Sequence, residues 1–514
     1  MMLEKRLAEI VKKHPHLTAI AYNNLRISYQ ELYAHITNLS GHLSTVGITQ
    51  GDCIALLLPN SPEFAIAFYA IAKLNAIVLP INPLLKEEEL SYYITDSNAR
   101  AIITNTDGAD ISRKIISKLS KEIELIVLDD TELIHKAVNN SEITESTSFF
   151  NGDVLYQYSS GSTGSPKRVC RTRNNLDREV INFAETTNIS PEDNILCIVP
   201  LYHAHGLGNC LLAATCNGAT LVILEPVLHQ GKAIEVPFVF RSLRVLELIE
   251  KEKITILPAV PYIFNTLAET PDDTQVDVST IRLCFSAGNF LSKEIFDKFL
   301  QRFGIPVRQL YGCTEAGSVA INLDEDIKNT YDSVGCPLKN IDIKIIDDAG
   351  EELPTGSIGE LVIKSQALTQ GYSNKPELNQ QVFKNGSFLT GDLGKKDEDG
   401  RIYITGRKQI FIDTGGHKVD PLEIENILLT HNQVKEVVVV GIKGLYAGEI
   451  IKAVIVPENR DICDEKDILS YCQGKLADFK LPKIIEFRDE IPKSPLGKVL
   501  RKNLINNLSE TIKL

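Results

Sequence analysis

The stretch "ISYQELYAHITNLSGHLSTVGITQGDCIALLLP", residues 27–59, indicates the fold class. Its apolar residues follow a helical spacing that ends at Gly47, and the run Cys53 to Pro59 predicts a strand. The same order recurs in "PEFAIAFYAIAKLN" before "AIVLPINP" and in "SYYITDSNA" before "RAIITN". Such alternation favours a parallel sheet covered by helices, with ligands at the carboxyl ends of the strands.

The sequence pattern changes from about Ile341, where predicted strands are separated by the turn sequences "DDAG" and "DEDG". This pattern predicts antiparallel hairpins, which we take as a β-barrel-like part. After Arg407 a smaller α+β unit is expected, with helices at "PLEIENILLTH" and "EKDILSYCQGKLAD" around two strands. The predicted fold is therefore α/β, with a large N-terminal domain of helix-covered sheets (1–407) and a small C-terminal domain (408–514).

Composition excludes several classes of protein. The formal net charge of −13 over 514 residues argues against binding to nucleic acid or to an anionic membrane. The ten cysteines form no CxxC pair, as expected of reduced thiols in a cytoplasmic protein. The apolar run from Phe64 to Ile81 is broken by Lys73, Asn75 and Pro80. It therefore predicts a buried helix and strand, and the chain is not expected to be an integral membrane protein.

A polar loop, "YSSGSTGSPKR", occupies Tyr158 to Arg168 directly after a predicted strand. Glycines let backbone N–H groups face a polyphosphate, hydroxyls donate further hydrogen bonds, and Lys167 supplies positive charge. The spacing differs from the P-loop pattern GxxxxGK[ST]. On composition alone a flexible linker remains an alternative to a phosphate cradle.

Six further segments accompany this loop, in the order "PLYHAHGLG" (200–208), "CFSAGNFLS" (284–292), "LYGCTEAG" (310–317), "TGDLG" (390–394), "GRKQIFIDTGGHKVDPLEIE" (406–425) and "PKSPLGKVLRK" (492–502). Together with "SSGSTGSPK" they resemble, in sequence order, the motifs of the adenylate-forming (ANL) superfamily. This superfamily includes the AMP-dependent acyl- and aryl-CoA synthetases and free-standing adenylation domains. Their shared order argues against the linker alternative.

The resemblance implies an enzyme that joins a carboxylic acid to the AMP part of ATP, releases pyrophosphate and passes the acyl group to a thiol. The implied cofactors and partners are ATP, Mg²⁺, a small-molecule carboxylic acid and CoA as acceptor. The alternative is a free-standing adenylation enzyme that loads an acyl or aminoacyl group onto the phosphopantetheine of a separate carrier protein.

By the resemblance, most of the nucleotide site lies in the predicted N-terminal domain. Thr314 would bond the α-phosphate and Glu315 would hold Mg²⁺, although a lone Thr-Glu is more often a helix cap. Asp392 would accept both ribose hydroxyls, or serve only as a turn aspartate. The remaining nucleotide-binding residues are implied to be Ser159, Ser160, Gly161, Ser162, Thr163, Gly164, Lys167, Gly288, Asn289, Tyr311, Gly312, Tyr403 and Arg407.

The C-terminal segment would supply Lys498 to bridge the α-phosphate and the substrate carboxylate, although a lysine in a basic tail is commonly only solvated. In the resembled family this domain is mobile, which implies a hinge at Lys408 and Gln409. Gly415 and Gly416 would leave room for a pantetheine arm.

The chain departs from the usual family pattern at Gln409, at Asp413 and at Arg168, which stands where relatives usually carry glycine. The roles of Asp413 and Arg168 stay open at this stage.

The implied acid pocket is small and mainly neutral. "LYHAHGL" offers no acid to pair with the α-ammonium of an amino acid, which favours a neutral aryl or medium-chain aliphatic carboxylate. His203 matches the family's pocket histidine, whereas His205 has no assigned role, and either could be a buried, hydrogen-bonded histidine. The predicted lining is His203, Leu207, Gly208, Ser286, Ala287, Cys313 and Ser318, to which Gly288 and Gly312 are added.

Overall fold

The structure is a computed structural model. It describes residues 3–119, 121–128, 152–159, 166–229, 232–234, 236, 238–271, 273–407, 411–443, 448–459, 464–492, 499 and 501–505. The chain forms two compact units. The first comprises Met1–Pro83, Tyr93–Tyr158 and Arg168–Arg407, and the second comprises Leu84–Tyr92, Ser159–Lys167 and Lys408–Leu514.

Helices and strands alternate through the first half of the chain. The α-helices of four or more residues are α1 Leu3–Lys13, α2 Tyr29–Thr45, α3 Pro62–Lys73, α4 Glu87–Asp96, α5 Thr106–Lys118, α6 Arg173–Thr187, α7 Ser242–Lys251, α8 Pro261–Ala268, α9 Lys293–Phe303, α10 Ile327–Thr330, α11 Pro376–Val382, α12 Pro421–Leu429, α13 Glu465–Gln473 and α14 Lys502–Ile505. A further helical run joins Ala204–Gly206, a π-helix at Leu207–Leu212 and Ala213–Thr215, and short 3₁₀ turns lie at Phe238–Phe240 and Asp478–Lys480.

The strands are β1 Thr18–Tyr22, β2 Leu25–Ser28, β3 Cys53–Leu57, β4 Ile77–Pro80, β5 Ala101–Thr104, β6 Glu124–Val127, β7 Asp153–Ser159, β8 Lys167–Thr172, β9 Asn194–Cys197, β10 Thr220–Ile223, β11 Val227–His229, β12 Lys232–Ile234, β13 Ile256–Ala259, β14 Leu283–Ser286, β15 Val307–Cys313, β16 Gly317–Ile321, β17 Cys336–Pro337, β18 Ile341–Ile346, β19 Gly359–Ser365, β20 Phe383–Lys384, β21 Ser387–Lys396, β22 Ile402–Arg407, β23 Ile412–Asp413, β24 Lys418–Val419, β25 Val434–Lys443, β26 Glu449–Pro457 and β27 Ile484–Phe487.

Two large sheets carry the predicted parallel character. Within the described residues, one sheet has the order β6-β5-β3-β4-β7-β8, with parallel pairs from β6 to β7. The other has the order β17-β16-β15-β14-β13-β9-β10-β1-β2, parallel in its centre and antiparallel at both edges. The helix-covered parallel sheets expected from the alternating pattern are therefore confirmed.

Local sequence explains where the first helices begin. The hydroxyl of Ser28 accepts from the backbone N–H of Glu31, whose carboxylate accepts from the N–H of Ser28, which is a capping box for α2. Ser61 caps α3, and Pro62 fits the first helical turn. All of α3 from Pro62 to Ala72 is buried, which confirms the buried helix predicted for this greasy run. In the described part of the chain, no helix is both long and apolar enough to cross a bilayer.

The segment from β18 to β22 forms the predicted antiparallel hairpins. The pairs β18–β19, β19–β21, β20–β21 and β21–β22 are all antiparallel. Among the described residues these pairs form an open sheet with a branch at β21, and they do not close into a barrel.

The second unit contains the predicted small α+β arrangement. Strands β25, β26 and β27 form one sheet, antiparallel between β25 and β26 and parallel between β26 and β27. Apolar residues of α12 and α13, including Ile424, Leu428 and Ile468, pack with Val439 and Ala453 in one core. The alternating apolar residues of "VKEVVVV" therefore have a helix-covered face to pack against.

Candidate active site

The segment "YGCTEAG" forms a tight hairpin in the first unit. Gly312 pairs with Ser318 and Cys313 with Gly317, so Thr314, Glu315 and Ala316 form the turn between β15 and β16. A side chain on Gly312 would lie 2.5 Å from the carbonyl oxygen of Gly317, so only glycine permits this close approach. The hairpin therefore places Thr314 and Glu315 at the end of a strand of the nine-stranded sheet.

Glu315 is buried, with 7% of its surface exposed. Its Oε1 accepts a hydrogen bond from the hydroxyl of Tyr372 at 2.7 Å, and its carbonyl oxygen accepts from the N–H of Thr369 at 2.8 Å. Burial, together with the nearby Glu315 carboxylate, raises the pKa of the Cys313 thiol well above its usual value. The turn thus presents a fixed carboxylate beside a neutral thiol.

A buried ion pair supports this turn through a hydrogen bond to its backbone. Nη2 of Arg171 lies 2.8 Å from Oε2 of Glu179, and the two side chains are 1% and 6% exposed. The same guanidinium donates to the carbonyl oxygens of Thr314 at 3.2 Å and Ala367 at 3.0 Å. Burial raises the pKa of Glu179, and the guanidinium opposes that rise.

This support was not predicted from the sequence. Arg171 and Glu179 stand eight residues apart in "RTRNNLDRE", which shows only that several charges lie close together in the chain. The pairing depends on the approach of the hairpin: a Cβ on Gly317, whose φ is +71°, would fall 2.2 Å from the carboxyl carbon of Glu179. A mid-strand arginine next to a helix that carries an acid is the one signal that the sequence offered.

Asp392 lies against the same hairpin. Its Oδ2 accepts a hydrogen bond from the hydroxyl of Tyr311 at 2.5 Å, its side chain is almost fully buried, and its N–H donates to the hydroxyl of Thr390. Burial, and next the Asp392 carboxylate, hold the pKa of Tyr311 well above its usual value, so the tyrosine stays a proton donor. In the pairing of β21 with β22, Asp392 stands directly opposite Arg407.

Tyr403 does not join this group. It pairs with Lys395 on β21, and its hydroxyl donates to Oδ2 of Asp397 at 3.2 Å. Asp397 in turn is bonded to Arg401, which also bonds Asp324 at 2.6 Å. The Tyr403 hydroxyl therefore faces a charged cluster four residues along the strand from Arg407.

The predicted adenine and acid loop follows the end of β14. Ser286 is 1% exposed and its hydroxyl has no hydrogen-bond partner among the described residues, which suits a group that meets a ligand. Ala287 is buried, Gly288 has a φ of +89°, and Asn289 is exposed. The left-handed backbone at Gly288 explains a glycine at this turn.

The two histidines have different environments. His203 is exposed, and its Nδ1 accepts from the N–H of His205 at 3.3 Å. His205 bonds the carbonyl oxygen of Ala259 through Nε2 at 3.2 Å and the amide of Asn209 through Nδ1 at 2.9 Å, which assigns the Nε2–H tautomer. Burial lowers the pKa of His205 to about 4, so it is neutral at pH 7. The hydroxyl of Ser318 joins this hydrogen-bond network by donating to the side-chain oxygen of Asn209 at 2.7 Å.

Leu207 and Gly208 lie in the π-helix that follows. Leu207 is 2% exposed and belongs to the main hydrophobic core. A Cβ on Gly208 would lie 2.2 Å from Oε1 of Glu179, so this glycine packs directly on the buried ion pair. Leu207 is therefore a core residue, whereas Gly208 lies against the ion pair that supports the hairpin.

The phosphate segment is only partly described. Ser159 ends β7 and Lys167 begins β8 with its side chain buried. Ser160, Gly161, Ser162, Thr163 and Gly164 lie outside the described residues, as do Lys408, Gln409 and Lys498.

In the second unit, Gly415 and Gly416 form the turn between β23 and β24, with φ values of +74° and +99°. The N–H of Gly416 donates to Oδ1 of Asp413 at 2.6 Å. Burial raises the pKa of Asp413, whose N–H in turn donates to Glu449. Both glycines therefore have conformations that other residues rarely adopt.

Comparison with known proteins gives the same picture across the whole chain. Residues 7–373 match the family model of the AMP-binding enzymes, and residues 423–498 match that of the AMP-binding enzyme C-terminal domain. A long-chain-fatty-acid–CoA ligase of Mycobacterium tuberculosis is 31% identical over 95% of this chain and 94% of its own length. An oxalate–CoA ligase of Arabidopsis thaliana is 29% identical over 98% of both chains.

Among solved structures, a double mutant of o-succinylbenzoate CoA synthetase from Bacillus subtilis, bound to a product analogue, is similar with a TM-score of 0.84. The two proteins share 27% sequence identity over 97% of this chain and 98% of that one. The acids named for these three relatives differ widely in size and charge, so the matches do not specify an acid for this chain.

Proposed function

This chain belongs to the AMP-binding enzyme family and is an AMP-forming acid–CoA ligase, and we propose that Thr314, Glu315, Asp392 and Arg407 form its ATP site. We also propose the class of the acid substrate, the binding of Mg²⁺ and the role of each residue in the site. It also treats residues 408–514 as the mobile domain that carries Lys498.

One observation carries this assignment. The hydroxyl of Tyr311 bonds Asp392 at 2.5 Å although the two residues are 81 positions apart. This contact joins the hairpin with Glu315 to the strand pair in which Asp392 faces Arg407. Carboxylates for a ribose and for a cation then lie in one unit, with Arg407 on the neighbouring strand.

The chemistry explains why these residue types are needed. An oxygen of the substrate carboxylate attacks the α-phosphorus of ATP, a P–O bond forms, and the bond to the β-phosphate oxygen breaks as pyrophosphate leaves. Two anions meet in this step, so preorganised positive charge and hydrogen-bond donors stabilise the transition state. Lys167 suits the departing phosphates, and Lys498 would act where the carboxylate and the α-phosphate meet.

Asp392 suits the ribose because an ionised carboxylate is purely an acceptor and each oxygen has two lone pairs. Tyr311 occupies part of that capacity and fixes the orientation of the carboxylate. Arg407, on the paired strand, would bind the same ribose.

Glu315 fits Mg²⁺, a hard cation that prefers carboxylate, phosphate and water oxygens. Within the described residues, no group of three or more His, Cys, Asp or Glu could hold a metal ion. The expected arrangement is therefore one protein carboxylate with phosphate oxygens and waters, as is usual for Mg²⁺ in phosphoryl transfer. The ion would supply positive charge to the phosphates, while Tyr372 holds the carboxylate in place.

We propose a neutral aryl or medium-chain aliphatic acid as substrate. The predicted lining contributes the Ser286 and Ser318 hydroxyls and the Cys313 thiol, and Ser318 is already bonded to Asn209. His205, which bonds the same Asn209 as Ser318, is neutral at pH 7, so it offers no charge to a second carboxylate. A pocket lined by small, neutral side chains favours an acid whose only charge is the reacting carboxylate.

Acid-dependent ATP–pyrophosphate exchange tests the site with a panel of aryl, aliphatic, amino and dicarboxylic acids. We expect exchange with neutral acids, and a fall of about 10²-fold or more in kcat for Glu315→Gln, typical of lost electrostatic stabilisation. Glu398→Gln removes an exposed carboxylate of the same unit and is the matched control. Equal activity of the two variants would refute the role given to Glu315.

Product analysis with CoA or with a phosphopantetheinylated carrier protein tests the acceptor. We expect acyl-CoA in amounts that match the AMP formed. Transfer to the carrier with none to CoA would favour the alternative acceptor.

A further inference from the structure

Arg168 lies at the second position of β8, directly after Lys167, with its side chain only 9% exposed. Its Nη2 donates to the hydroxyl of Ser373 at 2.6 Å, its Nη1 donates to the carbonyl oxygen of Asp96, and its guanidinium carbon lies 4.9 Å from the centre of the Tyr156 ring. Its Nε has no hydrogen-bond partner among the described residues. Arg168 is therefore a buried cation that is held in place by Ser373 and by the backbone of Asp96.

Asp96 connects the two residues that flank the phosphate segment. Its Oδ2 accepts from the hydroxyl of Tyr158 at 2.5 Å and lies 3.5 Å from Nη1 of Arg168. Tyr158 and Arg168 stand immediately before and after residues 159–167. Asp96 therefore contacts a residue on each side of that segment.

Asp96 and Arg168 also line a cavity of about 540 Å³, a size within the range of small-molecule sites. Its lining includes Cys53 at the start of β3, Ile77 at the start of β4 and Arg100 just before β5. These residues mark the amino-terminal edge of the parallel strands. Nucleotide sites in such sheets form at the opposite, carboxyl edge.

Three cations line the cavity: Arg100, Lys121 and Arg168. Within the described residues, Nζ of Lys121 donates only to neutral acceptors, which are the side-chain oxygen of Asn98 at 2.7 Å and the carbonyl oxygens of Asn98 and Ala99. Arg100 is exposed, and within the described residues its guanidinium makes no ion pair. Of these three side chains, Arg168 alone makes an ion pair within the described residues, with Asp96.

The acids of the lining are already engaged. Oδ2 of Asp52 accepts from the N–H of Thr49 at 2.8 Å and from its hydroxyl at 3.0 Å, and Asp96 is bonded to Tyr158 as described. Burial raises the pKa of the Cys53 thiol to about 12, so the floor of the cavity is neutral at pH 7. The lining therefore carries three cationic side chains against two carboxylates that already accept hydrogen bonds.

We propose that this cavity is a second anion site, which binds a phosphate-type oxyanion through Arg100 and Lys121, with the guanidinium of Arg168 adding positive charge to the lining. Its ligand is either free phosphate or the phosphate group of a small nucleotide, since both present the same oxygen acceptors to guanidinium and ammonium groups. The binding goes beyond the proposed function.

Isothermal titration with inorganic phosphate and with AMP, at constant ionic strength, tests the site. Arg100→Gln/Lys121→Gln removes two cavity charges, and Lys364→Gln/Lys384→Gln removes two charges from exposed strand positions elsewhere in the same unit. We expect the cavity variant to bind the ligand about tenfold or more weakly, because each charge-assisted bond contributes strongly, whereas the control keeps wild-type affinity.

The two ligand sources give different results. If the ligand is free phosphate, phosphate affinity falls in the cavity variant and AMP binding is unchanged. If it is a nucleotide phosphate, the stoichiometry of AMP binding falls from two sites to one. Identical titrations for the cavity variant and the control, with both probes, would overturn the proposal.

Two further measurements separate binding from other effects. Arg100→Gln alone removes no hydrogen bond within the described structure, so a loss of affinity in this variant reports on the anion and not on folding. Acid-dependent pyrophosphate exchange on the same preparations should be unchanged without added phosphate. A wild-type protein that binds phosphate in the cavity but shows no exchange would refute the proposed function and leave the second site standing.

Discussion

Replacing Arg171 by methionine removes the cation from an ion pair whose two side chains are 1% and 6% exposed. Glu179 is then left as a buried carboxylate without its counter-ion, a change that typically costs about 3–5 kcal/mol of stability. The carbonyl oxygens of Thr314 and Ala367 also lose a donor. We expect Arg171→Met to lower the free energy of unfolding by about 3–5 kcal/mol and to slow adenylation, because the Thr314 turn loses its support.

Urea unfolding followed by circular dichroism measures the first effect, since the chain contains no tryptophan for fluorescence. Arg244→Met is the matched control: it breaks contacts to Glu225 and Glu247, but its side chain is 25% exposed, so about 1 kcal/mol or less is expected. Arg171→Met combined with Glu179→Met should regain much of the stability, because a buried ion pair can be replaced by apolar groups, but should not regain the rate. Equal loss of stability in Arg171→Met and Arg244→Met would refute the reasoning.

Three other predictions concern single residues. Asp392→Asn should lower kcat/KM for ATP by about 10- to 10²-fold, because a charge-assisted hydrogen bond is lost, as measured at saturating acid. Gly317→Ala should lower the free energy of unfolding by more than about 1 kcal/mol, because φ is +71° and the new methyl would overlap a carboxylate. Burial lowers the folded-state pKa of His205 to about 4. The stability it contributes is therefore present above about pH 6.5 and is lost as the pH falls towards 4, and His205→Gln should flatten that slope in unfolding measurements.

The parallel sheets and the small α+β unit could be predicted because local signals agree with them. The run Cys53 to Pro59 is apolar and short, and the helices beside it begin at Ser28 and Ser61, which cap them. In such segments, hydrophobic period and capping chemistry both indicate the same structure. The closure of the antiparallel part was not predictable in this way, because strand order depends on pairing between distant segments.

The motif residues could be named from the sequence, but their supports could not. The contact of Tyr311 with Asp392 spans 81 positions, and that of Tyr372 with Glu315 spans 57. Only tertiary structure brings such pairs together. Arg168 shows the same limit: the sequence left its role open, and only the structure shows that its guanidinium is buried against Asp96.

The central claim is that Glu315, Asp392 and Lys498 act in an adenylation that consumes ATP and forms AMP. Product analysis on the intact chain, with ATP, Mg²⁺, CoA and a neutral carboxylic acid that supports exchange, measures this directly. We predict AMP, pyrophosphate and acyl-CoA in equal amounts, and loss of all three in Lys498→Ala. Formation of ADP and phosphate, or adenylation by Lys498→Ala at the wild-type rate, would contradict the account.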